Sequence, residues 1–227
     1  MLFLKKICIL KTLLLILPFS IFCTTQEEAK EIKSNRYVVG INNKQKFVWF
    51  RVAKVASTTV KRVFMKHDIA MPIKSLEFKF NPSDYQNYFK FAFVRNPWSR
   101  VVSCYAQKVE NKNPDWAFYY SECFDKGFEY FVDFIDRKNL TKADRHIRLQ
   151  TSLIPVTEVD FIGRLENFDE DFLYVLKKLG VKDAHIPQKN PSNHLHYSQY
   201  YNDRTKEIIA QKYAKDIEVF GYEFEYQ

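Results

Sequence analysis

Two hydrophobic rhythms alternate along the chain. Short, nearly unbroken apolar runs read as buried strands: Phe47 to Val52, Tyr88 to Arg95 ("YFKFAFVR") and Val159 to Gly163 ("VDFIG"). Between and after them apolar residues fall at helical spacing. Ser57 to Lys66 reads as one helix. A second begins at Asn96, an N-cap with Pro97 at the first helical position, and runs through Tyr105 or beyond. Phe128, Phe131, Val132 and Ile135 mark a third. Phe168, Phe172, Val175, Leu176 and Leu179 mark a fourth, closed by Gly180. A last helix covers Asp203 to Tyr213. Strands alternating with helices predict an α/β fold with a central, largely parallel sheet flanked by helices.

The first residues obey another rule. Lys5 and Lys6 precede the apolar run Leu13-Leu14-Leu15-Ile16-Leu17, and small polar residues follow Cys23. Residues 1–25 therefore read as a signal peptide or signal anchor, with the lysine end cytoplasmic and the rest sent across a membrane. Residues 26–36 are polar and read as a short stem. The core begins at Tyr37, so residues 37–227 are expected to form the catalytic domain.

Composition narrows the class. Hydrophobic residues are 46% of 227, which is globular rather than disordered. The net charge is +8, and without Lys5, Lys6 and Lys11 there remain 32 basic against 27 acidic residues. That modest excess suits an anionic ligand and is too weak to indicate nucleic acid. Cys104 and Cys123 can pair in an oxidising lumen or stay as buried thiols. No metal-ligand spacing is present. Asn139-Leu140-Thr141 is a glycosylation sequon for a secreted eukaryotic chain.

Two strand-to-helix junctions carry the candidate chemistry. In "RVAKVASTTVKR", Lys54 precedes Ser57, Thr58 and Thr59 at a helix start, where free N–H groups and the helix dipole favour anions. The loop has no glycine and its lysine precedes the hydroxyls, so a GxxxxGK[ST] nucleotide loop is a poor match. The amides of Ser57, Thr58 and Thr59 can cradle a small anion, and Lys54 can neutralise a leaving oxygen. A plain capped helix with a surface lysine fits the same residues. In "FVRNPWSRVVSCY", Arg95 ends a buried strand, and Ser99 and Ser103 share one helix face. Arg95 with Ser103 can hold a second phosphate, and Arg100 can do likewise or pair with an acid. Together the junctions suggest one ligand with two anionic ends.

"RVAKVASTTVK" and "FKFAFVRNPWSRVVSCY" resemble the two cofactor-binding motifs of the membrane-bound carbohydrate sulfotransferases (sulfotransferase family 2), and "FIGRLENFDEDF" and "AKDIEVFGYEF" resemble later segments of that family. The resemblance implies a P-loop-like three-layer α/β fold and the donor 3'-phosphoadenosine 5'-phosphosulfate, with no metal. It implies that Lys54, Ala56, Ser57, Thr58 and Thr59 contact the 5'-phosphosulfate and that Arg95 and Ser103 hold the 3'-phosphate. It implies a glycan acceptor on a glycoprotein, proteoglycan or glycolipid, and a type II Golgi membrane protein with a lumenal catalytic domain, or a secreted one. A secreted binder of acidic polymers and a nucleotide-dependent kinase are the alternatives.

Sulfuryl transfer also wants a general base. His146 in "DRHIRLQTSL" is the first candidate, although Leu149 stands where the family pattern has proline; Glu77 is the second. Arg164 and Glu166 can line the cleft or form an internal salt bridge. Lys189, Asn190 and Ser192 can close over the donor. His194, His196, Tyr197, Tyr200 and Tyr201 can meet sugar faces or simply pack.

Overall fold

The computed structural model describes residues 37–74, 78–182, 186 and 195–227. The targeting segment (1–25), the stem (26–36), Glu77, Lys189, Asn190, Ser192 and His194 lie outside the described residues. Five strands form one sheet: β1 (Val39–Asn42), β2 (Phe47–Phe50), β3 (Ile73–Lys74), β4 (Phe89–Val94) and β5 (Phe161–Arg164), in the order β3-β1-β2-β4-β5. β2, β4 and β5 are mutually parallel, with Phe50 opposite Ala92 and Val94 opposite Arg164. This is the parallel core that the alternation predicts. β1 and β3 add an antiparallel edge. That edge escapes pattern reading because β1, "VGIN", is broken by Gly40 and ends on polar Asn42, so it shows no apolar run, and β3 holds only two residues.

Among the described residues seven α-helices flank the sheet: α1 (Ser57–Lys66), α2 (Pro97–Cys104), α3 (Ala117–Tyr120), α4 (Gly127–Asp136), α5 (Phe168–Lys178), α6 (Asp203–Lys212) and α7 (Ala214–Phe220). None is long and apolar enough to cross a membrane. α2 runs straight into a π-helical segment, Tyr105–Glu110, of the kind often found beside functional sites.

Aromatic residues lock the layers. Alternate residues of a strand share a face, so Phe47, Trp49, Phe91 and Phe93 point the same way. On that face Phe64 of α1 meets Phe47 at 5.4 Å between centroids, and Phe168 of α5 meets Phe93 at 5.3 Å. Each such side chain contributes roughly 1.5–3 kcal/mol by burial. A second core joins α2, α4 and α6 through Val101, Val102, Phe131, Ile135 and Ile209. Cys104 and Cys123 lie buried as free thiols.

Parallel pairing of β2 and β4 has one consequence for function. The chain leaves both strands at the same end of the sheet, the usual binding edge of α/β folds. The two candidate junctions are therefore neighbours.

Gly163 lets α5 approach the sheet. A Cβ there would lie 2.5 Å from Phe93 Cε1 and 3.1 Å from Asp171 Cβ. Gly163→Ala is expected to destabilise the fold by about 1–3 kcal/mol, read from the urea midpoint. A loss below about 0.5 kcal/mol would show that the β5–α5 spacing relaxes freely.

Candidate active site

The loop after β2 is held in an unusual backbone. Lys54 and Ala56 have φ of 72° and 60°, in the left-handed region although neither is glycine. Each such residue costs on the order of 1–3 kcal/mol. Ala56 is the N-cap of α1 and has no side chain to cap with; the first turn carries no acid. Thr59 and Val60 donate to the Ala56 carbonyl. Ser57 and Thr58 are left without an intrahelical acceptor, and the positive end of the helix stays open. The Ser57 hydroxyl donates back to the Val52 carbonyl at 2.8 Å. What Ser57 offers an anion is thus its backbone N–H rather than its hydroxyl proton. Thr58 is exposed and Thr59 half-buried.

The second junction is built around Arg95. Asn96 caps α2 as predicted, accepting from Trp98 N at 3.1 Å and Ser99 N at 3.4 Å. The Gln150 side chain grips both backbone groups of Arg95, accepting from its N–H at 3.0 Å and donating to its carbonyl at 2.8 Å. Gln150 is itself fixed by Asp216 of α7, whose carboxylate accepts from the amides of Gln150 and Thr151. The guanidinium of Arg95 donates to Ser99 Oγ at 2.9 Å and to the Lys54 carbonyl at 3.4 Å. The two junctions therefore touch. Ser99 is the hydroxyl that meets Arg95; Ser103 lies buried one turn further along α2.

Arg100 is 1% exposed and forms no ion pair with an acid among the described residues. Its Nε donates to the Ala53 carbonyl at 3.1 Å, Nη1 to Arg148 O at 2.8 Å and Nη2 to Arg145 O at 2.9 Å. One side chain thereby ties the loop after β2 to the segment that carries His146.

His146 is buried, and its Nδ1 lies 2.8 Å from Asp144 Oδ1. That oxygen also accepts from Tyr120 OH at 2.6 Å and from the His146 amide at 3.0 Å. A carboxylate on Nδ1 holds the proton there and leaves Nε2 as the basic nitrogen. Burial lowers the His146 pKa below its ordinary value; Asp144 opposes this, and Lys108 and Arg145 add to it. Asp144 stays below the usual carboxylate range, because its hydrogen bonds from His146 and Tyr120 outweigh a burial effect that pushes it up.

The site is short of negative charge. Burial first, then the nearby Arg95, Lys108 and Arg100, bring Lys54 down to about 8. Cys104 adjoins it, but burial pushes that thiol up to about 11, so it is neutral at pH 7 and offsets nothing. Arg95 is lowered to about 10, by burial first, against the pull of Glu166. In this state the Lys54 ammonium rests on Gln107 Oε1 at 2.7 Å, from the π-helical segment.

The other candidates make mainly structural contacts, although Glu166 also acts on Arg95. Arg164 donates to the Phe220 carbonyl and lies over the Tyr222 ring; Glu166 accepts from Asn96 N and Tyr222 OH. They fasten the C-terminal segment and do not pair with each other. Tyr197 accepts from Glu225 N, Tyr201 donates to the Trp98 carbonyl, and Tyr200 packs on Phe128. His196 caps the turn beneath Tyr197. Gln150, Asp144, Tyr120 and Gln107 were not singled out from the sequence. Only the spacing of Asp144 and Gln150 around His146 hinted at them.

The family model described as "Sulfotransferase family" (Sulfotransfer_2) matches residues 39–223, and the chain belongs to that family. Its class is thus a sulfuryl-transferring enzyme. An uncharacterized protein of Archaeoglobus fulgidus is 32% identical over 106 residues, 44% of this chain and 73% of that protein. Carbohydrate sulfotransferase 14 of Danio rerio is 23% identical over 251 residues, 91% of this chain and 67% of the relative. Carbohydrate sulfotransferase 12 of Mus musculus is 24% identical over 180 residues, 60% and 41% respectively. No solved structure gives a significant match.

A lysine held near 8 is a liability in the folded protein. Between that value and the 10.5 of the unfolded chain, the unfolded state binds more protons, so this site's contribution to stability rises with pH across the window. Lys54→Met is expected to raise stability at pH 7 by on the order of 1 kcal/mol, with the gain fading above about pH 8. Urea titrations at pH 7 and pH 10 read this directly. An unchanged midpoint at pH 7 would mean that the Gln107 bond outweighs the charge.

Proposed function

We propose that this sulfotransferase moves a sulfuryl group from 3'-phosphoadenosine 5'-phosphosulfate to a hydroxyl of a carbohydrate. The observation that carries the donor assignment is the contact of Arg95 Nη1 with the Lys54 carbonyl, which unites two anion-seeking junctions at one edge of the sheet. Uncapped amides, left-handed loop residues and unpaired cations are what a ligand with two anionic ends requires. The carbohydrate acceptor is supported by the names of the relatives from zebrafish and mouse.

In this reading the amides of Ala56, Ser57 and Thr58, with the Thr58 and Thr59 hydroxyls, hold the 5'-phosphosulfate. Arg95, with Ser99 and Ser103 on one face of α2, holds the 3'-phosphate. The acceptor oxygen bonds to sulfur as the bond from sulfur to the bridging oxygen breaks. The acceptor proton passes to Nε2 of His146. Lys54 moves from Gln107 to the bridging oxygen, where charge develops, and the nucleoside bisphosphate leaves. No step calls on a metal. Residues 1–25 support a type II arrangement with the 37–227 domain in the Golgi lumen, and Asn139 of the sequon is exposed.

Calorimetric titration with adenosine 3',5'-bisphosphate tests the donor: binding is expected, and binding of ATP–magnesium alone would favour a kinase. Arg95→Ala should weaken that affinity first. Lys54→Ala should instead cut kcat by roughly 10²–10³ while affinity falls less. Unchanged turnover would remove Lys54 from the mechanism.

The base predicts a pH signature. His146 must be neutral to act, so kcat/KM falls as pH drops through its depressed pKa. An alkaline limb near pH 8 follows from loss of the Lys54 proton. Asp144 raises the His146 pKa, so Asp144→Asn should move the acidic limb to lower pH and reduce kcat roughly ten- to a hundredfold. A loss of rate with the acidic limb unmoved would make Asp144 purely structural.

A further inference from the structure

Lys54 is anchored by its backbone and tethered by its side chain. Arg95 Nη1 donates to its carbonyl at 3.4 Å, and Arg100 Nε donates to the carbonyl of Ala53 beside it at 3.1 Å. A φ of 72° sets the direction in which the side chain leaves. The flexible four-carbon stem can still swing about that fixed Cα. Among the described residues the ammonium has one hydrogen-bond partner, Gln107 Oε1 at 2.7 Å, 53 residues away in the chain, and no carboxylate pairs with it.

The place of Gln107 suits a contact that is made and released. Its side chain is exposed, whereas the next residue, Lys108, is buried with its ammonium 4.5 Å from the centre of the Trp116 ring. Arg95 and Arg100 already brace the loop after β2, so an exposed amide adds little stiffness to it. Gln107 belongs to the π-helical segment Tyr105–Glu110, which continues α2 without a break. Ser103 lies four residues earlier on the same run. The helix proposed to hold the 3'-phosphate therefore also presents the oxygen on which Lys54 rests.

The identity of the side chain matters as much as its place. An amide oxygen accepts one of the three ammonium protons and leaves the charge uncancelled. A carboxylate there would bind the lysine more strongly and hold it away from the donor. The titratable groups facing Lys54 are Cys104 and Arg100 of α2, Arg95 at the end of β4 and Lys108 of the π segment, and no acid is among them. Against these cations the Gln107 oxygen favours the charged lysine by accepting one of its protons.

We propose that Gln107 is a positioning residue for sulfuryl transfer, docking the Lys54 ammonium at the rim of the donor site and releasing it to the bridging oxygen as charge develops there. Gln107 itself touches neither donor nor acceptor in this step. The proposal rests on the reading of Lys54 as the cation at the leaving oxygen. It adds the group that sets where that cation waits and over what pH range it stays charged.

The test uses the full chain, 3'-phosphoadenosine 5'-phosphosulfate and desulfated polysaccharides as acceptors, with Gln107→Met and Gln107→Glu beside the unaltered protein. Gln107→Met removes the oxygen at similar size. It should move the alkaline limb of kcat to lower pH by roughly half a unit or more, and leave the affinity for adenosine 3',5'-bisphosphate within about threefold. Gln107→Glu should move that limb upward by about one unit or more and cut kcat at pH 7 roughly tenfold, because an ion pair must then be broken. An alkaline limb at the same pH in all three proteins overturns the proposal, since a side chain that merely braces the loop lowers kcat without moving it. A rise in the acceptor KM alone in Gln107→Met would place Gln107 on the acceptor and overturn the proposal as well. In the unaltered protein the side-chain amide resonances of Gln107 should titrate with a midpoint of about 8. Resonances that stay fixed through that range overturn the docking with no variant needed. Failure to bind adenosine 3',5'-bisphosphate or to sulfate any polysaccharide overturns the sulfotransferase reading itself, on which the amide titration does not depend.

Discussion

Arg100 donates to the carbonyls of Ala53, Arg145 and Arg148 from a position 1% exposed to solvent. These three oxygens belong to two segments about ninety residues apart in the chain, and no other side chain contacts both in this way among the described residues. A rigid planar fork of donors reaches three carbonyls in fixed and separate directions; a lysine would offer its three donors from one point. Removing the fork would leave each buried carbonyl short of a partner, at about 1–3 kcal/mol apiece. With it in place, the backbone of Lys54 and Ala56 is braced in its left-handed turns, and the Asp144–His146 pair is set at a fixed distance from the donor loop.

The same arrangement explains why the site is poor in carboxylates. An acid paired with Arg100 would have cancelled its charge. Backbone carbonyls satisfy its hydrogen bonds and leave the net charge in place, so Lys54 and Arg95 feel it and lose part of their affinity for protons. Strained loop, uncapped helix and crowded cations all lower the stability of the fold, and all three suit the doubly anionic donor proposed above. Local rules broken together in one place are what a functional site looks like when the rest of the chain obeys them.

How much of this was legible beforehand depended on the range of each interaction. Helices α1, α2, α4, α5 and α6 were readable because capping and apolar spacing are local: Asn96-Pro97 announces α2 unaided. The parallel core followed from runs such as Phe89–Val94. The antiparallel edge was not readable, since β1 is interrupted by Gly40 and Asn42 and β3 holds only two residues. Lys54 and Arg95 were recognisable from the chemistry of strand-to-helix junctions. Ser99, rather than Ser103, at the Arg95 guanidinium was not, because both serines lie on the same helix face and only the fold distinguishes them. Gln150, Asp216 and Arg100 act across 45 to 66 residues of sequence, and no local pattern announces such partners. Arg164 and Glu166 follow a strand end; Arg164 reaches the C-terminal segment, and Glu166 joins that segment to the Asn96 amide beside Arg95, contacts that no local pattern announces.

The depth at which His146 lies sharpens its chemistry. A base on the surface would titrate near its ordinary value and share its proton with water. Burial against Trp116 favours the neutral ring, while Asp144 favours the charged one. The first effect keeps the ring neutral at pH 7; the second favours the imidazolium, as the proposed base role requires. Tyr120 keeps Asp144 ionised by donating to the same oxygen at 2.6 Å, and its own hydroxyl is pushed far above its ordinary pKa, so it remains a donor throughout. Burial prevails, so the ring rests neutral at pH 7, and Asp144 limits how far its basicity falls.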